Sequence, residues 1–202
     1  MKTVVNKIVE IVHKYGYTET FADLAFDKSV KIVYTDPFKA ISDYEKEMEG
    51  ASAVIIAGYG GGNINIERKS GYSPLDLLIK RFENNIPVVL SSQVAKGPAD
   101  FVYGNAHYAI ESGAISGVDL SLPEIQIRLS YLLGHKTQIE EHAKRMNIPY
   151  MKLLDRLFIS GMKFRTRKSK ETYAYLKGFK PFEIDVLVNR TFEESLSVFT
   201  NS

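Results

Sequence analysis

The sequence predicts an α/β domain in which helices flank a parallel β-sheet on both faces, giving three layers. Three apolar runs predict the strands, and they occupy residues 30–34, 52–57 and 86–90. A segment with helical spacing follows each run, and this alternation is typical of parallel sheets with right-handed crossovers. The second run is continuously apolar, as expected for a strand that is covered on both faces.

The helices that follow the strands are predicted by apolar residues at three- and four-residue spacing and by capping signals. The first comes after the turn at Pro37, and its apolar side consists of Phe38, Ile41, Tyr44 and Met48. The second begins with Ser73 as N-cap and Pro74 at the first helical position, and its buried stripe is Leu75, Leu78, Ile79 and Phe82. A third covers about residues 105–112.

Two further helices are predicted by capping boxes, in which a serine or threonine precedes a glutamate by three residues. Ser121 and Glu124 begin one of them, and Thr137 and Glu140 begin the other, which runs to about Met146. The apolar residues of the first are Ile125, Ile127, Leu129 and Leu132. A helix around Leu153, Leu154 and Leu157, a strand over residues 184–188 and a short final helix are expected to follow.

An amphipathic helix is also predicted at the N-terminus, ending near Gly16. Its apolar stripe consists of Val4, Val5, Ile8, Val9, Ile11, Val12 and Tyr15, which must pack on some surface. We therefore divide the chain into an N-terminal helix with its connection (1–28), an α/β domain (29–135) and a small helical and mixed C-terminal extension (136–202) that can pack on the main domain.

Composition excludes several classes of protein. The 202 residues include 26 basic and 24 acidic side chains, so the net charge of +2 indicates no polyanionic partner by itself. The absence of cysteine excludes disulfides, thiolate metal sites and a cysteine nucleophile. The four histidines are scattered without metal-ligand spacing, so neither a metal nor a cofactor is expected. The start of the chain lacks a signal-peptide or membrane-spanning run, and we expect a cytoplasmic protein without membrane contact.

The sharpest local feature is the loop that follows the second strand, which contains Gly60, Gly61, Gly62 and Asn63. It fails the dinucleotide-binding fingerprint because Asn63 stands where the last glycine is required, and no Gly-Lys-Ser or Gly-Lys-Thr of a phosphate-binding loop follows. A tight turn alone rarely needs three consecutive glycines. The loop therefore favours close backbone packing or approach to a ligand.

The third strand leads into Ser91, Ser92 and Gln93, at the end of a parallel strand where ligands of such sheets usually bind. After the first strand, Thr35 and Asp36 could be taken as a hydroxyl nucleophile beside a carboxylate, but a turn explains the same residues more simply. We expect the turn.

Taken together, residues 54–63, 86–93 and 112–115 resemble the C-terminal domain of the L-asparaginase family in order and spacing. That family includes bacterial-type L-asparaginases and one component of the archaeal glutamyl-tRNA(Gln) amidotransferase. The helix that begins at Leu122, Pro123 and Glu124 completes the pattern, which covers roughly residues 29–135. The resemblance implies that Asn63 lies near bound substrate. Some members also place an acidic residue in the loop after the Ser-Gln strand, and this sequence has no clear match for it; Asp100 is the nearest candidate.

In that family two threonines, an aspartate and a lysine on a preceding N-terminal domain perform the chemistry, and this sequence contains no Gly-Gly-Thr-Ile near its start. The resemblance therefore implies a stand-alone C-terminal half that is inactive alone, with no catalytic residue of its own. It would bind an amino acid through residues 60–63 and 91–93, and complete an amidohydrolase site as a homo-oligomer or with a separately encoded N-terminal-like subunit.

A rival hypothesis places the function in the C-terminal extension. Five basic residues, Lys163, Arg165, Arg167, Lys168 and Lys170, lie close to Phe164, Tyr173 and Tyr175, a mixture of cations and aromatic rings that can bind nucleic acid. A solvated charged face explains the same segment, since the net charge is close to zero. Under this hypothesis the α/β domain is a scaffold for an interaction module at residues 163–170.

Overall fold

The computed structural model describes residues 25–65, 73–94, 104–117, 119–160, 167–178, 180, 183–185 and 189. Four parallel strands form one sheet in sequence order: β1 (Val30–Tyr34), β2 (Ala53–Gly58), β3 (Val88–Ser92) and β4 (Ile115–Ser116). The predicted fold class is confirmed. The sequence analysis missed β4, a strand of only two residues, and the predicted N-terminal helix lies outside the described residues.

Seven helices are described, together with a 3₁₀ turn at Gly60–Gly62. They are α1 (Ile41–Met48), α2 (Pro74–Glu83), α3 (Gly104–Glu111), α4 (Leu122–Gly134), α5 (Lys136–Arg145), α6 (Tyr150–Ile159) and α7 (Arg167–Lys177). Every helix predicted between residues 38 and 160 is present, which reflects the strong apolar spacing of this part of the chain.

Each face of the sheet has its own hydrophobic core. Val54 and Ile56 of β2 point to one face and pack with α1, α2 and α3. Ala53 and Ile55 point to the other face and pack with α4 and the helices after it. Because side chains alternate along a strand, one continuously apolar run supplies both cores, and the three-layer architecture follows.

Two predicted helix starts are formed as expected. The Ser73 hydroxyl accepts from the backbone N–H of Asp76 at 3.2 Å, and the Asp76 carboxylate accepts from the backbone N–H of Ser73 at 2.8 Å. At the start of α4, the Glu124 carboxylate accepts from both the backbone N–H of Ser121 at 2.7 Å and its hydroxyl at 2.6 Å. These bonds satisfy polar groups that a helix leaves open at its first turn.

The predicted capping box at Thr137 is wrong. Helix α5 begins at Lys136 with His135 as its N-cap, and His135 also ends α4. Since α5 follows α4 without a linker, the end of α4 sets where α5 begins, and Thr137 already lies inside the first turn.

Three further expectations are corrected. Phe38 precedes α1 and is 94% exposed, and Ile127 is 63% exposed on the outer side of α4, so neither belongs to a buried stripe. Residues 184 and 185 are helical rather than extended. The backbone N–H of Glu183 donates to the carbonyl of Lys180 at 3.0 Å, which closes a turn where the strand was expected to begin.

Helices α5, α6 and α7 share a core with the sheet. Ile139, Leu153 and Phe158 are buried in the same cluster as Ile55 of β2. From α7, the Lys177 ammonium donates to the carbonyl of Ala114 at 2.8 Å, directly before β4. The described part of the chain beyond residue 135 therefore packs against the α/β sheet.

Candidate functional site

The candidate site lies at the carboxyl edge of the sheet, where β2 ends in the glycine loop. The backbone N–H of Tyr59 donates to the carbonyl of Asn63 at 2.8 Å, and that of Gly62 donates to the carbonyl of Tyr59 at 2.9 Å. Gly61 and Gly62 have φ angles of 67° and 76°, in the left-handed region that favours glycine. Two of the three consecutive glycines are thus required by the bend itself.

Gly58 is required for a different reason, which is close packing of backbone on backbone. A Cβ at this position would lie 2.6 Å from the carbonyl oxygen of Asn63 and 2.8 Å from the carbonyl carbon of Gly62. At Gly60, by contrast, a Cβ would meet nothing within 4 Å among the described residues. The loop therefore folds tightly back onto the end of β2, while its tip at Gly60 has no close neighbour in the part of the chain that the structure describes.

The loop after β3 lies directly beside the glycine loop. Sheet register places Gly58 opposite Ser92, and the backbone N–H of Gln93 donates to the carbonyl of Gly58 at 2.8 Å. The Ser92 hydroxyl donates to the carbonyl of Tyr59 at 3.3 Å and accepts from the backbone N–H of Val94 at 3.1 Å. The two predicted segments, 60–63 and 91–93, are therefore brought together by the fold.

The predicted side chains differ in their exposure at this edge. Ser91 is buried, Gln93 is exposed, and Asn63 is half-buried. The Asn63 side-chain oxygen is itself buried and has no hydrogen-bond partner among the described residues. A buried acceptor without a partner is uncommon in folded proteins, so Asn63 is the member of the predicted set with an open bonding position.

Tyr59 was missed by sequence reasoning, although it stands inside the glycine loop. Its hydroxyl oxygen is buried and forms no well-aligned hydrogen bond with the described residues. The Thr35 side chain lies near this hydroxyl. Burial raises the Tyr59 pKa, and Tyr44 and Asp36 raise it further, while Thr35 opposes the shift. Its position directly after a buried strand was the available signal.

Thr35 and Asp36 form the turn that was expected after β1. The buried Thr35 hydroxyl donates to the carbonyl of Ala57 at 3.0 Å. The Asp36 carboxylate accepts from the backbone N–H of Phe38 at 2.8 Å, and the backbone N–H of Asp36 donates to the Tyr44 hydroxyl at 3.0 Å. Both residues therefore form hydrogen bonds that stabilise the turn, and the predicted turn is confirmed.

Two of the described histidines have polar contacts within their own helical segments. His135 contacts the carbonyl of Tyr131 through Nδ1 at 2.8 Å, and His107 lies 3.2 Å from the Glu111 carboxylate. Within the described ranges, no group of three histidine, aspartate or glutamate side chains is placed to hold a metal. Asp100 and His13 lie outside the described residues.

Part of the basic segment is described, because α7 begins at Arg167. The Arg167 guanidinium bonds the Glu171 carboxylate at 2.6 Å, and Lys170 pairs with Asp185. Lys163 and Arg165 lie outside the described residues. In the described part, two cations of the rival hypothesis have acidic partners, which reduces the positive charge they offer to a phosphate backbone.

Among the residues that the structure describes, no helix combines the length and apolar character needed to cross a bilayer.

Comparison with known proteins gives one family match. Residues 29–146 match the model of the glutaminase/asparaginase C-terminal domain. The chain is also similar to a component of the glutamyl-tRNA(Gln) amidotransferase of Methanobrevibacter smithii, with 28% identity over 150 residues, which cover 70% of this chain and 33% of that protein.

One solved structure supports the same fold. The thermostable L-asparaginase from Thermococcus kodakarensis is similar with a TM-score of 0.51 and 21% identity, over 64% of this chain and 36% of that one. For L-asparaginase I from Vibrio cholerae the TM-score is 0.49 and the identity 19%, over 63% and 34% of the two chains. The chain thus spans about a third of the length of the relatives it matches.

Proposed function

The chain belongs to the glutaminase/asparaginase C-terminal domain family, and on that premise we propose that it supplies the non-nucleophilic side of an amide-hydrolysing site. In this proposal, Asn63 and the loop at residues 91–93 face an amino-acid substrate. The attacking group comes from another domain or subunit. The single observation that carries the proposal is the buried side-chain oxygen of Asn63, which lies at the junction of the two loops and has no hydrogen-bond partner in the described part of the chain.

Asn63 suits recognition of a substrate that carries N–H groups. Its side-chain oxygen can accept a hydrogen bond from an amide or an ammonium group, and such a bond gains strength when the donor is charged. The names of the family and of the similar proteins point to asparagine and glutamine as candidate substrates, both of which carry an amide and an ammonium group.

Two hydroxyl groups at this edge support a nucleophile from elsewhere. The Thr35 hydroxyl is buried and donates to the carbonyl of Ala57, and the Ser92 hydroxyl donates to the carbonyl of Tyr59. A hydroxyl becomes a nucleophile when a neighbouring base takes its proton. Both of these protons are directed at backbone oxygens instead, so these side chains hold the loops in place.

Reconstitution tests the proposal. The purified chain is mixed with an asparaginase N-terminal domain that carries the threonine nucleophile, and ammonia release from asparagine and from glutamine is measured. We expect release from the mixture and none from either part alone. Thermal stabilisation of the mixture by each amino acid provides a second readout, because a ligand that binds the folded state raises its stability.

Asn63→Ala should lower ammonia release by roughly ten- to a hundredfold, the effect of losing one hydrogen bond to a charged group. Asn84→Ala is the matched control, because Asn84 ends α2, and its side chain donates to the carbonyl of Lys80. Equal activity of the two variants would refute the role of Asn63. Ammonia release by the purified chain alone would refute the external nucleophile.

A further inference from the structure

An open groove runs along the outer side of α4, which packs on the opposite face of the sheet from α1, α2 and α3. It encloses about 510 Å³ and is lined by Phe26, Ile127, Arg128, Tyr131, Leu157 and Ser160, among others. Two of its apolar side chains remain in contact with solvent: Ile127 is 63% exposed and Phe26 is 41% exposed. Large apolar side chains that line one exposed groove are typical of an interaction surface.

The two charged side chains that line the groove, Glu124 and Arg128, are already engaged by the protein itself. The Arg128 guanidinium donates through Nη1 to the carbonyl of Phe158 at 2.9 Å and to that of Ser160 at 2.7 Å. The Glu124 carboxylate accepts from Ser121 at the start of α4. The remaining exposed surface of the groove is apolar. Such a surface suits the apolar face of a helix better than a charged ligand.

The N-terminal segment enters the described structure at this groove. The backbone N–H of Asp27 donates to the carbonyl of Ser130 at 2.9 Å, and the ring centroid of Phe26 lies 5.7 Å from that of Tyr131. Ala25 packs closely on Gly134, because a Cβ added at Gly134 would lie 1.8 Å from the carbonyl oxygen of Ala25. Residues 25–27 therefore run antiparallel to α4, and Phe26 is itself part of the groove wall.

We infer that the predicted amphipathic helix at residues 1–15 docks its apolar stripe in this groove and covers Ile127. A helix of this length would extend about 22 Å, close to the roughly 20 Å of α4. The nine residues 16–24 can span up to about 30 Å when extended, enough to fold the helix back along α4. The inference is independent of the proposed catalytic partner, since none of residues 60–63 or 91–93 lines the groove.

Disulfide trapping tests the docking, because the chain contains no cysteine of its own. Ile8→Cys, in the centre of the stripe, is combined with Ile127→Cys, and the control combines Glu10→Cys with Ile127→Cys. At about 100° per residue, Glu10 lies on the opposite side of the helix from Ile8. Docking raises the local thiol concentration to about millimolar, so the first pair should form at least about tenfold more intramolecular disulfide than the control.

Limited trypsin digestion gives a second readout that needs no cysteine. Ile127→Glu should speed cleavage after Lys7 and Lys14, whereas Tyr108→Glu, an exposed site on α3, should not. Equal disulfide yields for the two cysteine pairs, or no disulfide in either, would overturn the inference. Disulfide-linked dimers in place of the intramolecular product would overturn it in favour of a second copy in the groove.

Discussion

The backbone N–H of Gln93 donates to the carbonyl oxygen of Gly58 at 2.8 Å and joins the loops that follow β2 and β3. The register of the two strands, which sets Gly58 opposite Ser92, brings these groups together. The Ser92 hydroxyl adds a bond to the carbonyl of Tyr59. Because these bonds cross between loops that are distant in sequence, a change that moves one loop should also move the other.

Gly58→Ala tests how closely the glycine loop packs on the end of β2. The added Cβ would lie 2.6 Å from the backbone oxygen of Asn63, and a backbone contact of that kind has no flexible side chain that can yield. We expect a loss of about 1–3 kcal/mol in the free energy of unfolding, measured by urea denaturation. Gly60→Ala is the control and should be nearly neutral, since open space surrounds that position among the described residues. Equal losses for both variants would contradict this account of the loop.

Arg128→Met should destabilise the contact between α4 and the end of α6. Methionine keeps the apolar stem but removes the donor to the carbonyls of Phe158 and Ser160. Burial lowers the Arg128 pKa, because a charged guanidinium loses hydration inside the protein. This loss of hydration offsets part of the stability that its hydrogen bonds contribute. We expect a net loss of about 1–2 kcal/mol by urea denaturation.

The control for this variant is Arg145→Met in α5. The Arg145 side chain is 63% exposed and lies 3.6 Å from the Glu141 carboxylate. Such exposed ion pairs contribute little, so a change below about 0.5 kcal/mol is expected. If the two variants lost equal stability, the bonds from Arg128 would not hold α6.

Helix capping gives a comparison between a predicted capping box that forms and one that does not. Ser121→Ala removes the hydroxyl that bonds Glu124 at the start of α4 and should cost about 1 kcal/mol in the free energy of unfolding. Thr137→Ala should change it by less than about 0.5 kcal/mol, because α5 begins one residue earlier and Thr137 is exposed. Thermal unfolding of both variants beside the parent chain would measure the difference, and a larger loss for Thr137→Ala would contradict it.

The parts of the fold that could be predicted from sequence are those fixed by local chemistry. Continuous apolar runs predict the buried strands. Pro74 and Pro123 indicate helix starts, because proline lacks the backbone N–H that the first turn of a helix leaves unpaired. The exposure of Ile127 could not be predicted in this way. It depends on which surface α4 presents to the sheet, and helical spacing alone does not define where the buried stripe ends.

The two segments of the candidate site were predicted to face one substrate, but the hydrogen bonds that join them were not predicted. Residues 60–63 and 91–93 were each selected from their own local pattern, whereas the bonds that join them arise from strand register across the sheet. Tyr59 was missed for the same reason, since the environment of its hydroxyl depends on Thr35, Asp36 and Tyr44, which lie far from it in sequence. That Asn63 contacts a substrate stays a prediction.

Alkaline pH should expose the role of the buried Tyr173 in holding α7. Its hydroxyl donates to the Asp155 carboxylate at 2.8 Å, and the Lys177 ammonium lies 2.9 Å from the same carboxylate. Burial first, and then Asp155, raises the Tyr173 pKa well above its ordinary value of 10.0. The folded state therefore keeps this proton at a pH where the unfolded chain has lost it.

The stability from this group is complete below pH 10 and is lost as pH rises toward the folded-state pKa, because the unfolded state then binds fewer protons. One such group contributes a slope of up to about 1.4 kcal/mol per pH unit. Tyr173→Phe should reduce this slope without abolishing it, since burial also raises the pKa of Tyr150. Urea denaturation at several pH values above 10 measures the slope, with the 79% exposed Tyr175 changed to phenylalanine as control. An unchanged slope in Tyr173→Phe would show that its hydroxyl is not the group that resists ionisation.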